Sequence, residues 1–174
     1  MPLKAYALGQ VYHPPMSPTR PNQLFKTPRR ALAGDAAAIA ALTRRAYGKW
    51  VKLIGAEPQP MAADYDAIVA ADQVWVIDGA TTLAGVLVLR VMADHFLIWS
   101  VAVDPALQGS GLGKTLLALA EAEALRQGYG EIRLYTNIRF AENRALYARL
   151  GYVESHCEDF NGRTAVHMKK ILRR

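Results

Sequence analysis

The chain has 174 residues, 52% of them hydrophobic, with a net charge of +6 and a single cysteine. That is enough for one domain with a proper core, and one cysteine excludes an internal disulfide or a cysteine-based zinc cluster, so no metal is expected. With no apolar run of about 18 residues and no apolar leader, the expectation is a soluble cytoplasmic protein without a membrane segment.

The positive charge is unevenly placed. Residues 1–30 and 169–174 hold nine Lys/Arg and no acids, while 31–168 hold twelve Lys/Arg and all fifteen acids. A mildly acidic body with basic ends argues against a nucleic-acid-binding protein. Six of the nine prolines fall in the first 28 residues, where apolar periodicity is weak. Residues 1–26 therefore read as a flexible arm, or one that docks onto a partner subunit of a homodimer. Residues 27–174 form the domain.

Arg30–Ala33 suits a short first strand before Gly34, and Asp35 suits a helix cap. Ile39, Leu42, Ala46 and Tyr47 then share one helical face. KWVKLIGAEPQP reads as a loop, and a second helix after Pro60 carries Met61, Tyr65, Ile68 and Val69 on its apolar side. Strands follow at 74–78, 83–92 and 96–103, closed by Asp104-Pro105. A helix with Leu112, Leu116 and Leu119 on one face ends near Gly128. After it come a strand at 132–136, a short helix at 142–150, and two strands joined by Asn161-Gly162, a tight-hairpin signal. The order predicts a mixed α/β domain whose antiparallel hairpins precede one strand–helix–strand crossover.

QGSGLGKTLL (108–117) lies at that crossover. The NTPase phosphate loop needs a glycine where Gln108 stands, and G-x-G-x-x-G fails from Gly109 and from Gly111 alike. The loop also comes too late in the chain for an NTPase core. Gln-x-x-Gly-x-Gly survives, filled by Gln108, Gly111 and Gly113. Unpaired N–H groups and the helix dipole suit this turn to a pyrophosphate, with Lys114 supplying charge for a third phosphate.

VAVDPALQGSGLGKTLL (101–117) resembles the acetyl-CoA signature of the GCN5-related N-acetyltransferase superfamily. RLYTN (133–137) followed by ALYARLGY (145–152) resembles its second block, and AYGKWVKLIGAEPQPMAADY (46–65) resembles a bacterial subgroup. The resemblance implies a mostly antiparallel sheet with flanking helices and a splayed parallel strand pair. It also implies acetyl-CoA as cosubstrate. Pantetheine would lie along Val101 and Val103, with the acyl oxygen near the Val101 amide. Pyrophosphate would sit on the N–H groups of Gly109, Ser110, Gly111, Leu112, Gly113 and Lys114, with Gln108 also among the coenzyme-binding residues. Tyr147 matches the family tyrosine that protonates the leaving thiolate.

Two departures accompany the match. Phe140 stands where many relatives carry a coenzyme-contacting Asn, so Asn143, one turn later, is the candidate. Many relatives carry an acid on the strand before V-x-V, whereas HFLIWSVAV places Trp99 and Ser100 near that position. His95 and Asp94 are candidates, but a strand-start Asp-His is more often an exposed turn, so no base is assigned. In this superfamily the acceptor amine, of a small molecule or peptide, enters near the first two helices. Tyr47, Trp50 and Tyr65 are the candidates there, their aromatic faces suiting a cation. The expected activity is transfer of an acetyl group to a primary amine by direct attack. The alternative is a catalytically weak acyl-CoA-binding sensor or assembly module.

Overall fold

A computed structural model of the protein describes residues 26–160 and 162–173. The arm expected over 1–26 lies, apart from its last residue, outside the described residues, as does Asn161. Seven strands form one sheet: β1 Arg29–Arg30, β2 Gln73–Asp78, β3 Leu83–Val91, β4 Phe96–Val103, β5 Glu131–Asn137, β6 Val153–Phe160 and β7 Arg163–Ile171. Their spatial order is β1-β2-β3-β4-β5-β7-β6. Every pairing is antiparallel except β4 with β5, which the crossover helix joins in parallel. This is the mixed α/β architecture expected from the order of elements, with the mostly antiparallel sheet that the resemblance implies.

Helices α1 Ala36–Ile54 and α2 Tyr65–Ala71 cover one face. Helices α3 Leu112–Arg126 and α4 Ala141–Arg149 belong to the other half of the domain. β3 is buried along Leu83–Leu89 because it is covered on both faces. Val86 and Val88 join Ile39, Leu42 and Trp99 on the α1 side, while Leu87 and Leu89 join Leu112, Leu116 and Ile132 on the α3 side. Such period-2 sorting is what strand geometry imposes. At the far edge, all eight residues of β6 are exposed, and a bulge between Glu154 and His156 interrupts its pairing. Among the described residues no helix is long and apolar enough to cross a membrane.

Four local expectations change. The second helix begins only at Tyr65, with Met61 in a preceding 3-10 turn, Gln59–Ala62. The first strand is only Arg29–Arg30, because the chain then turns into a short 3-10 segment, Ala33–Asp35. Asp35 does not cap α1; its carboxylate accepts from the Leu32 N–H and from Arg29, which also grips Asp78. The Arg29 guanidinium accordingly holds the Asp35 carboxyl below its usual range. The segment KWVKLI is helical, since no breaker intervenes before Gly55, whose φ of 72° ends α1.

The seat of α3 is set by Gly85, where an added Cβ would lie 3.0 Å from Leu116 Cδ1 and 3.6 Å from Leu112 Cδ2. Gly85→Val is therefore expected to overpack this interface and cost about 1–3 kcal/mol, read as a lower urea midpoint with an unchanged slope.

Candidate active site

The pairing of β4 with β5 stops early. Only Phe96, Leu97 and Ile98 have partners, in Ile132, Arg133 and Leu134. One residue further on, β4 carries a bulge: Leu89 pairs with Ile98 and Val88 with Ser100, leaving Trp99 without an opposite number on β3. An extra residue bends and twists its strand, and from here the two parallel strands diverge. The Asp104 N–H donates to the Ala84 carbonyl on β3 at 2.9 Å. By the alternation of an extended strand, the backbone groups of Val101 and Val103 then face the opening gap.

Both carbonyls on that side are held by side chains. Tyr47 donates to Val101 O at 3.2 Å, and Gln108 Nε2 donates to Val103 O at 3.2 Å. Gln108 is fixed in turn by Lys49 Nζ on its Oε1, 2.9 Å away. Arg45 adds an ion pair to Asp104 at 2.9 Å. One helix, α1, thus clamps the free side of β4. Because KWVKLI reads as a loop in the sequence, Lys49 is not among the residues anticipated there; the uninterrupted stretch up to Gly55 is the signal that could have placed it.

The glycine loop closes one end of the gap. Gly109 and Gly111 have φ of 83° and 92°, a region only glycine adopts without strain, although a side chain at either would meet open space. The Gln108 and Ser110 N–H groups are taken by the Pro105 and Leu107 carbonyls. The first N–H bond of α3 runs from Thr115 to Gly111 O. Among the described residues, the N–H groups of Gly109, Gly111, Leu112, Gly113 and Lys114 therefore have no acceptor. Gln108 and Ser110 thus differ from the other loop amides, their N–H groups being already bonded. Lys49, Lys114 and Arg149 line the same cleft of about 390 Å³, with Glu142 as the one carboxylate among its described residues. Free amides, the positive end of α3 and three cations suit a phosphorylated ligand.

Tyr147, Asn143 and Leu146 bring α4 to the opposite wall. Tyr147 is 8% exposed, and burial raises its pKa, with Tyr47 adding to the shift. Among the described residues its hydroxyl has no hydrogen-bond partner. Phe140, just before α4, stacks on Trp50 with centroids 4.3 Å apart, tying α4 to α1. The structure thus brings Tyr47, Trp50, Val101, Val103, Gln108, Gly109, Gly111, Gly113, Lys114, Asn143 and Tyr147 together.

It does not bring Tyr65, which is 4% exposed and lies against a different groove, its hydroxyl bonded to Pro60 O. Burial pushes that hydroxyl up to about 12. Nor does it bring His95 and Asp94, which pair with each other before the start of β4, at the opposite end of the strand from the glycine loop.

The acetyltransferase (GNAT) family pattern matches residues 38–152, which span the clamp, the glycine loop and Tyr147. The chain belongs to the acetyltransferase (GNAT) family. It is 31% identical over 91 residues to serotonin N-acetyltransferase 2 (chloroplastic) of Oryza sativa subsp. japonica, covering 49% of this chain and 44% of that one. The chain spans between 20% and 44% of the length of the curated relatives it matches. The ribosomal-protein-S18-alanine N-acetyltransferase of Escherichia coli has a TM-score of 0.68 at 20% identity, over 85% of this chain and 94% of that one. The PaiA N-acetyltransferase of Thermoplasma acidophilum, solved in complex with coenzyme A, has a TM-score of 0.66 at 19% identity, over 83% and 98%. At these identities the structural likeness establishes the GNAT fold.

The loop glycines differ in what they tolerate. Gly111→Asp combines a positive φ with a negative charge at the helix mouth and should abolish coenzyme A binding by calorimetry. An added Cβ at Gly113 would lie at an ordinary 3.8 Å from Val103 Cγ2, so Gly113→Ala should keep affinity within a few-fold.

Proposed function

We propose that the chain is an acetyl-CoA-dependent N-acetyltransferase that moves an acetyl group to a primary amine by direct attack. The observation that carries this reading is the open stretch of β4. Its backbone faces a gap that lies between the free amides of the glycine loop and the buried Tyr147. A slender chain of amides can lie along such a strand as an extra one would.

In this reading the loop amides and Lys114 hold the diphosphate, with Lys49 and Arg149 at the mouth. The Val101 and Val103 N–H groups fix the pantetheine arm and the acyl oxygen. A backbone N–H aimed at that oxygen stabilises the charge that develops on it during attack. The bulge at Trp99 and the Tyr47 clamp give the Val101 amide its direction. Tyr147 is the general acid. Its raised pKa keeps the phenol protonated at neutral pH, and its uncommitted hydrogen is available to the departing thiolate. Asn143 lines the cleft four residues before it, on the same helix.

A sensor that binds acyl-CoA without turnover would use the same cleft, but it would gain nothing from a buried phenol with a free hydrogen. Release of coenzyme A thiol in the presence of acetyl-CoA and a panel of primary amines tests the reading; coenzyme binding without turnover on any amine would retire it. Within it, Tyr147→Phe should lower kcat by about 100-fold or more while leaving the coenzyme Kd unchanged. Equal losses in both would reduce Tyr147 to part of the wall.

A further inference from the structure

Tyr47 and Tyr147 line the same cleft with opposite hydrogen-bonding polarity, and their bearing on an acceptor rests on the proposed transferase activity. A tyrosine hydroxyl has one hydrogen to give and lone pairs to receive with. Tyr47 gives its hydrogen to the Val101 carbonyl, which can only accept. Its 3.2 Å contact with Ser100 Oγ must then run from Ser100 to Tyr47. One lone pair remains, on a side chain that faces the cleft. Tyr147 is the reverse, because among the described residues nothing receives its hydrogen. Tyr47 offers the cleft an oxygen and Tyr147 a hydrogen.

We propose that Tyr47 Oη receives an N–H of the attacking amine beside the Val101 amide, and that the acceptor is a weakly basic amine that arrives uncharged. A neutral phenol oxygen can orient an N–H but does not remove a proton from an ammonium. Burial pushes the Tyr47 hydroxyl up, so its phenolate is not on hand at neutral pH.

The surroundings disfavour a cation as well. Trp50 could attract one, but Lys49 lies over its ring at 4.6 Å and Phe140 stacks on it. Trp99 has Arg90 over its ring at 4.5 Å, and Arg90 is paired with Asp72. The mouth adds Lys114 from α3 and Arg149 from α4, opposed by Glu142. On the sheet side, Tyr135 of β5 stands between β4 and His167 of β7, whose imidazole is bonded to Glu158 of β6.

The protons balance without a further reactant. Attack forms the C–N bond, collapse breaks the C–S bond, and the thiolate takes the Tyr147 hydrogen. The nitrogen, acidic once it has attacked, gives up the proton that restores Tyr147. Basicity then selects the acceptor. At pH 7 about a tenth of peptide α-amines are neutral, against fewer than about one in a thousand lysine ε-amines.

The test uses two acceptors with the full-length protein: a lysine-free peptide amide with a free α-amine, and an N-acetylated peptide amide carrying one lysine. We expect kcat/KM to rise with pH and to level at the acceptor's own pKa, near about 8 for the first and above about 10 for the second. At pH 7 the α-amine should be favoured about 100-fold or more. Tyr47→Phe should lower kcat at least about tenfold with both inflections unmoved, a loss larger than any weakening of coenzyme binding that follows from freeing the Val101 carbonyl, and His167→Asn should change neither profile. An inflection common to both acceptors, its loss in His167→Asn, or full kcat in Tyr47→Phe would overturn the proposal. Failure of the transferase activity itself looks different: the unaltered protein turns over neither these acceptors nor any other amine.

Discussion

The ladder between β4 and β5 lasts three residue pairs and then stops, and the site depends on that interruption. Two parallel strands joined by one crossover helix would ordinarily pair along their length. Here the extra residue at Trp99 bends β4 just past Ile98, and the backbone beyond it is left facing open space. Unsatisfied main-chain groups are costly when buried, so the gap is stable only because other groups meet them. Side chains from α1 and the loop take the carbonyls of Val101 and Val103. The remaining donors are what a ligand would use.

Helix α1 does more than cover the sheet. Arg45, Tyr47, Lys49 and Trp50 follow one another along it, and each reaches a different part of the cleft: the end of β4, the Val101 carbonyl, the glycine loop and the base of α4. The same helix carries Ile39, Leu42 and Ala46 into the core, with Tyr47 packed against them. Core packing therefore fixes the reach of the functional side chains, and loosening the core would blur the cleft.

Much of this was legible in the residues. Period-2 and period-3.6 patterns gave nearly every strand and helix, because half-buried elements must sort apolar from polar side chains. The three glycines of the loop announced a turn with free amides. What the pattern did not convey were contacts between segments distant in the chain. Tyr65 and Tyr47 look equivalent as aromatic residues on neighbouring helices, yet one packs into the core with its hydroxyl on Pro60 and the other reaches Val101. Phe140 registers in the sequence only as a missing Asn, whereas its ring has a partner 90 positions earlier in Trp50. Asp35 sits where a cap belongs, but a guanidinium close by in space outcompetes the helix for its carboxylate. Tertiary partners decided these cases, and local propensity had no information about them.

The Trp50–Phe140 stack has a bearing on what the opened sheet can admit. Any unpaired strand is a template for another polypeptide, and exposed edges are where proteins adhere to one another. The edge inside this sheet is bridged by an aromatic pair joining α1 to α4. The two rings, 4.3 Å apart, tie α1 to α4 and so resist those helices being levered apart. The same stack thus limits how far the opened sheet can be forced wider from the helix side.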